Sequence, residues 1–337
     1  MLKTINYISL FILCLLLQTC IEPFDPKIAP APQHLVVEGL ITNQNKSHVI
    51  KLSFLKNINI VKAEGLSKAD VRVIDNNGIE YVFKEKNRGE YHSDSIQFLA
   101  QIGNIYTLKI VTKEGKVYQS SPEKMLPQPT INSIYNVYND ENSEEEGFYI
   151  YIDIKDNPEE GNSYRWESTY YSIKPRCREL TTLCCELCWK IYRVPNRIMI
   201  SEDKYYNNMN STMEVFRVPY DSRSSAFVNI EQYSMTTSSY QFWSQLKKQI
   251  ANVGSIFDPI PSSIGGNMEC KTEPNEKVYG CFSVSSYSLI SYSVRRDYIT
   301  RNPITENLPP LPPGPPSCNP CDESLSSTKI KPTGWKF

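Results

Sequence analysis

Histidine is scarce in this 337-residue sequence, which contains three, at His34, His48 and His92. Motifs that define common enzyme classes are absent as well. There is no Gly-x-Ser-x-Gly elbow, no His-Glu-x-x-His zinc motif and no glycine-rich phosphate loop. Acidic residues are spread along the whole chain, so no pair of carboxylates can be singled out. We therefore predict a protein that is not an enzyme and that has no cofactor.

An excess of charge of one sign is also lacking. The chain has 36 Lys and Arg residues against 37 Asp and Glu residues, a formal net charge of -1. Proteins that bind nucleic acid usually concentrate basic residues on one face or along one element. The sequence has no such excess, and we predict no nucleic-acid partner.

Long hydrophobic runs are limited to one, at residues 8–17. About ten apolar residues are too few to cross a hydrocarbon core, which needs roughly 20. Lys3 precedes the run and small polar residues follow it, which is the organisation of a secretory signal. Residues 1–19 are therefore predicted to be a signal peptide.

The residues after this run predict a lipid anchor. Leu17-Gln18-Thr19-Cys20 resembles the lipobox of bacterial lipoproteins, which implies cleavage before Cys20 and acylation of its thiol. Residues 20–33 are proline-rich and have no apolar periodicity, which is typical of an extended tether. We predict that acylated Cys20 binds membrane lipid. The alternative is an ordinary secretory signal followed by a chance cysteine.

The next part of the chain has the pattern of short strands, because apolar and polar residues alternate in it. Turn signals such as Asn77-Gly78 and Glu114-Gly115 separate these segments, as in β-hairpins. Several short strands at this spacing predict an immunoglobulin-like β-sandwich over residues 34–126. The predicted strands include residues 35–41, 48–53, 70–74, 80–83 and 106–110.

Residues 127–337 are predicted to form a larger β-rich domain, which makes the fold class mainly β. One segment of this domain differs, because residues 239–253 have the period of an amphipathic helix. We expect the helix to pack on the second sheet, with binding to a partner as the alternative. Its apolar stripe consists of Trp243, Leu246, Ile250 and Val253.

The cysteines are interpreted through the compartment, since a signal peptide directs the mature chain beyond the inner membrane. Disulfides form and persist there, and an even number of cysteines remains after Cys20. Cys270 and Cys281 flank a turn-rich stretch, which favours a local pair across a hairpin. Cys318 and Cys321 would then bond to cysteines of residues 177–188 and staple the C-terminal tail to the domain. The disulfide candidates are Cys177, Cys184, Cys185, Cys188, Cys270, Cys281, Cys318 and Cys321.

A zinc site is the alternative use of these cysteines. Two Cys-x-x-Cys motifs, Cys185 with Cys188 and Cys318 with Cys321, could supply four thiolates to a tetrahedral ion. Such a site would have to escape oxidation outside the cytoplasm. Disulfides are therefore the preferred interpretation.

Six short stretches, in this order and spacing, carry a resemblance to a known family: CIEPF at 20–24, LVVEGLITN at 35–43, YQFW at 240–243, GSIFDPIP at 254–261, VYGCFSV at 278–284 and PTGW at 332–335. Together they resemble the lipoproteins of domain-of-unknown-function family 4249, which is common in diderm bacteria of the Bacteroidota type. The resemblance extends over essentially the whole mature chain. Cys281 stands where many members have the tyrosine of a Gly-Tyr-Phe motif.

The resemblance implies an outer-membrane lipoprotein that is an accessory or ligand-binding partner of a TonB-dependent receptor. It supplies no catalytic residues. We expect display on the cell surface, with the periplasmic face as the alternative location. Two other functions stay open: a structural or adhesive surface lipoprotein without a transporter, and a zinc-dependent or hydrolytic enzyme.

Overall fold

Strands dominate the protein, which confirms the mainly β fold class. The computed structural model describes residues 34–55, 64–142, 144–173, 187–193, 197–251, 264–303 and 321–335. The signal peptide and the lipidation site at Cys20, both predicted from sequence, lie outside these ranges.

The strands are numbered in chain order. The early ones are β1 (His34–Thr42), β2 (Val49–Leu55), β3 (Glu64–Gly65), β4 (Asp70–Asp75), β5 (Glu80–Asn87), β6 (Glu90–His92), β7 (Ile105–Val111), β8 (Val117–Ser120) and β9 (Glu123–Lys124). The later ones are β10 (Thr130–Asn139), β11 (Gly147–Lys155), β12 (Ser163–Ile173), β13 (Trp189–Arg193), β14 (Met199–Glu202), β15 (Asn210–Pro219), β16 (Ala226–Met235), β17 (Met268–Cys270), β18 (Tyr279–Ser285), β19 (Tyr287–Val294) and β20 (Ser327–Thr328). A 3-10 helix spans Asp203–Tyr205, and the α-helix α1 spans Thr237–Ala251.

The first sheet has the strand order β17-β8-β7-β4-β5-β6-β2-β1-β18, with β3 on β2 and β9 on β7. Alternation along its strands sends every second side chain inward. Val71 and Val73 of β4, for example, are fully buried, as are Val37 of β1 and Ile50 of β2. These residues belong to one continuous core. The β-rich character predicted for this region is confirmed, while its immunoglobulin-like arrangement stays a prediction.

The first sheet is completed by strands from a distant part of the sequence. β18 pairs in parallel with β1, and β17 pairs with β8. Phe282 and Val284 of β18 are buried in the first core. The division into residues 34–126 and 127–337 stays a prediction, and the structure adds that β17 and β18, from the second of these ranges, pair with strands of the first sheet. Local alternation predicts a strand, but it does not show which edge that strand will pair with.

Two further sheets form the second part of the protein. The smaller has the order β10-β11-β15. The larger, called the second sheet below, has the order β19-β16-β12-β13-β20, with β14 on β12. Ile150 and Ile152 of β11 share one core with Val228 and Ile230 of β16. The two sheets therefore bury their apolar faces against a common interior.

Helix α1 begins two residues before the predicted start at 239, and the predicted residues 252 and 253 lie outside the described ranges. Thr236 caps its start, because its hydroxyl oxygen accepts a hydrogen bond from the backbone N–H of Ser239 at 3.3 Å. The helix contacts β12, β14 and β16, as well as β18 of the first sheet. It thus packs on the second sheet, as predicted, and also reaches the first.

Candidate functional site

A groove of about 930 Å³ lies between helix α1 and the outer face of the first sheet. Strands β1, β2 and β18 form its floor, α1 forms one wall, and residues of β12 and β16 close it. The apolar lining residues include Val36, Leu40, Val49, Met235, Phe242, Trp243, Leu246, Ile264 and Tyr279.

The floor follows from the strand period and the register of β1 with its neighbours. Val36, Glu38 and Leu40 are alternate residues of β1 and therefore point to the same face. Leu40 lies beside Ser283 of β18, and Glu38 lies beside Cys281. Apolar side chains thus alternate with small polar ones across the floor.

The helical wall exposes its apolar stripe to the groove instead of sealing it. Phe242, Trp243 and Leu246 line the groove and are half-buried, and Ser239 is the buried residue of the helix. The rings of Phe242 and Trp243 contact each other edge to face, with centroids 5.7 Å apart. The stripe predicted from sequence is therefore present, but part of its surface faces a cavity.

Arg165 of β12 lies where the groove meets the second sheet. Its guanidinium carbon lies 4.4 Å from the centroid of the Trp243 ring and 4.6 Å from that of Tyr233, within the range of cation–π attraction. Its Nη1 donates a hydrogen bond to Glu167, two residues further along the same strand face. Arg165 is only 7% exposed, whereas the Glu167 side chain is 50% exposed.

A second cavity of about 400 Å³ lies on the other side of this arginine. Arg165, Glu167 and Trp243 line both cavities. The second cavity is the more polar, because Arg193, Arg197 and Glu231 also line it. An apolar groove and a polar cavity therefore share one wall.

Glu123 joins the elements that form the groove. It is buried, and its carboxylate accepts hydrogen bonds from Ser238 at 2.6 Å and from the amide of Asn267 at 2.7 Å. The hydroxyl of Thr236 also donates to it. Asn267 in turn bonds both backbone groups of Phe282 in β18. One carboxylate thus ties the start of α1 to the strand that forms the groove floor.

The thiol of Cys281 lines the groove but is protonated at neutral pH. Burial raises its pKa to about 11, and the hydroxyls of Ser239 and Ser283 are its polar neighbours. A thiol must ionise to act as a nucleophile or a metal ligand. The environment of Cys281 therefore favours a packing role.

The structure decides two of the cysteine predictions. Cys188 and Cys321 form a disulfide, with their Cα atoms 5.7 Å apart, which links the C-terminal segment to a cysteine of residues 177–188 as predicted. The predicted Cys270–Cys281 pair is wrong, because both are free buried thiols. Cys270 is in β17, which pairs with β8, and Cys281 is in β18, which pairs with β1, so no hairpin brings them together.

The zinc alternative is also wrong. Cys188 and Cys321, two of its four predicted ligands, are bonded to each other and cannot supply thiolates. The other candidates, Cys177, Cys184, Cys185 and Cys318, lie outside the described ranges. Within those ranges, no group of three or more His, Cys, Asp and Glu residues is placed to hold a metal ion. Among the helices described, none is long and apolar enough to cross a membrane.

Sequence comparison adds the family to this geometry. Residues 21–290 match the family described as "Domain of unknown function (DUF4249)". The chain belongs to this family. A search of curated proteins finds no match. The DUF4249 region contains every residue that lines the groove, from His34 to Ser285, whereas Cys321 of the disulfide lies beyond it.

Sequence reasoning missed most of the site. It identified Trp243 and Leu246 as one stripe of a helix, but it interpreted that stripe as packing. Arg165 carried no signal, because a single arginine in a strand is usually a solvated surface residue. Two of the stretches that carry the family resemblance, LVVEGLITN and VYGCFSV, contain most of β1 and β18, which pair in parallel on the groove floor.

Proposed function

We propose that this DUF4249 protein is a non-enzymatic, lipid-anchored protein of the outer membrane that captures a ligand in the groove between α1 and the first sheet. The observation that carries the proposal is the volume of the groove, about 930 Å³, with a mainly apolar lining. Pockets of this size with a few polar groups are typical of small-molecule sites. The lipobox-like sequence before Cys20 supports the anchor.

A TonB-dependent receptor of the outer membrane is the proposed partner, which the captured ligand would reach next. This part of the proposal rests on the family resemblance alone. A lipid-anchored protein that holds its ligand in an open groove is suited to passing it to a neighbour in the same membrane. Cell-surface display is the proposed location.

A groove-filling substitution tests ligand capture. Leu246→Trp would place a larger side chain in the groove. Gln245→Trp introduces the same residue on the exposed side of α1 and is the matched control. Small molecules released from each purified protein would be quantified by mass spectrometry. We expect wild type and Gln245→Trp to retain the same ligand, and Leu246→Trp to retain roughly tenfold less, since each 1.4 kcal/mol of lost affinity is tenfold. Equal retention by Leu246→Trp would contradict the proposal.

Purification in mild detergent tests the partner. We expect a TonB-dependent receptor, identified by its peptides, to co-purify with the lipidated protein and to be lost when Cys20→Ser removes the anchor. A clean preparation without a receptor would favour the structural or adhesive alternative.

A further inference from the structure

Arg165 is more than nine-tenths buried, yet most of its hydrogen-bonding capacity is unused. A guanidinium has five N–H donors. One of them binds Glu167. Arg165 lines both cavities, and its nitrogen atoms are not among the fully buried polar atoms that lack a partner in the described part of the chain. Its remaining donors therefore open toward the cavities, where a molecule with oxygen acceptors can reach them.

The rings beside Arg165 fix the direction of its donors. Tyr233 and Trp243 both lie within 4.6 Å of the guanidinium carbon, so the planar group has little freedom to turn. A fixed, planar fork matches the two oxygens of a carboxylate or a phosphate. Trp243 also belongs to the groove wall, so a ligand in the groove lies next to this fork.

The lining of the polar cavity has one more positive than negative side chain. Arg165, Arg193 and Arg197 line it with the carboxylates of Glu167 and Glu231, while Arg197 is also paired with Glu214 at 2.9 Å. Glu231 already accepts hydrogen bonds from two tyrosine hydroxyls. Glu167 is half exposed, so water screens much of its charge.

The charges on the groove floor balance. Glu38 and Lys51 lie opposite each other in paired strands, and both are exposed. The rest of the floor and the helical wall is mainly apolar. An apolar chain would therefore fit the groove, and a charged head would fit the polar cavity beyond Arg165.

We propose that the groove binds a single-chain amphiphile whose anionic head, a carboxylate or a phosphate, is held by Arg165 while its apolar chain lies along α1. The proposal rests on the proposed function, because it names the ligand class of the same groove. Arg165 discriminates between head groups, and Phe242, Trp243 and Leu246 bind the chain.

Four ten-carbon probes with different heads test this assignment: decanoate, decyl phosphate, decanol and decylammonium. The full chain with Cys20→Ser, which removes the proposed acylation site, allows titration calorimetry without detergent. We expect the two anions to bind roughly tenfold or more tightly than decanol or decylammonium, because charge-assisted hydrogen bonds are the stronger ones. Tighter binding of either anion supports the proposal and identifies the head group.

Substitutions then test the residue. We expect Arg165→Met to bind the preferred anion no more tightly than decanol. Arg165→Lys keeps the positive charge but loses the planar fork of donors, so we expect its affinity for the anion to be intermediate. Arg295→Met is the control, since Arg295 is exposed and bonds Asp297. If Arg165→Met fails to fold, the comparison of the four probes on the protein that retains Arg165 still tests the assignment.

Two outcomes overturn the assignment and separate it from the proposed function. In the first, all four probes bind equally or none binds, while Leu246→Trp still retains less of the native ligand than wild type. This result overturns the anionic head group and leaves ligand capture in place. No probe binding together with no effect of Leu246→Trp overturns both.

Discussion

At the scale of single residues, two glycines hold β18 against its neighbours. Gly280 has a φ of +84 degrees, and a Cβ at this position would lie 1.9 Å from the carbonyl oxygen of Val37. A Cβ at Gly266 would lie 1.5 Å from the carbonyl oxygen of Gly280. Glycine is therefore needed twice, once for its conformation and once for close backbone contact. This requirement explains the glycine in the VYGCFSV stretch.

Gly280→Ala is predicted to destabilise the protein by at least about 3 kcal/mol. Positive φ alone costs a non-glycine residue about 1–2 kcal/mol, and the Val37 carbonyl must also move. Gly78→Ala is the matched control, because Gly78 has φ of +80 but open space around its Cβ position. Urea unfolding of both variants measures the difference. Equal losses of stability would show that close packing of β18 on β1 does not matter.

At the scale of elements, the position of α1 depends on polar contacts more than on a sealed apolar face. Its apolar stripe is half-buried, whereas its first turn is fixed through Glu123. The N-terminus of a helix carries partial positive charge, which a carboxylate stabilises. Glu123 therefore holds the start of the helix that forms one wall of the groove.

Glu123→Gln is predicted to destabilise the protein by about 2–4 kcal/mol and to loosen α1, because an NH2 donor would replace one of the two carboxylate oxygens, both of which accept hydrogen bonds. Glu273→Gln is the control, since the Glu273 side chain is 56% exposed and its partner is Lys116. Unfolding free energies and hydrogen exchange of the α1 amides would be measured. Unchanged exchange in α1 would contradict the role given to Glu123.

At the scale of the whole molecule, a disulfide between described residues ties the C-terminal segment to the second sheet. The Cys188–Cys321 disulfide joins residues separated by 133 positions, and Trp335 packs against Trp189 and Phe227 nearby. Strand β20 of this segment also pairs with β13. The disulfide and the small aromatic cluster therefore hold the same segment in place.

Cys188→Ala is predicted to lower the free energy of unfolding by up to about 5 kcal/mol, because an open loop of this length has much more conformational freedom when unfolded. Cys281→Ala removes a buried thiol without opening a loop, and we expect a loss of about 1 kcal/mol. Chemical denaturation of both variants compares the two effects. Similar losses would mean that the cross-link contributes little beyond packing.

The sequence by itself determined the character of the elements. Alternation in residues 70–74 and 106–110 predicted strands that the structure confirms, and the stripe of Trp243 and Leu246 predicted a helix that exists. These predictions succeed because the period of apolar residues is set by neighbours along the chain. The family resemblance was likewise carried by short local stretches, and the match over residues 21–290 confirms it.

Only the tertiary structure decided the pairing of β18 with β1, the partner of Cys321, and the place of Arg165 beside Trp243 and Tyr233. Each depends on residues far apart in sequence, and a local pattern contains no information about which distant edge or ring a side chain will meet. The free thiols of Cys270 and Cys281 show this most directly. They are near each other in sequence, and the strands that contain them pair with different neighbours.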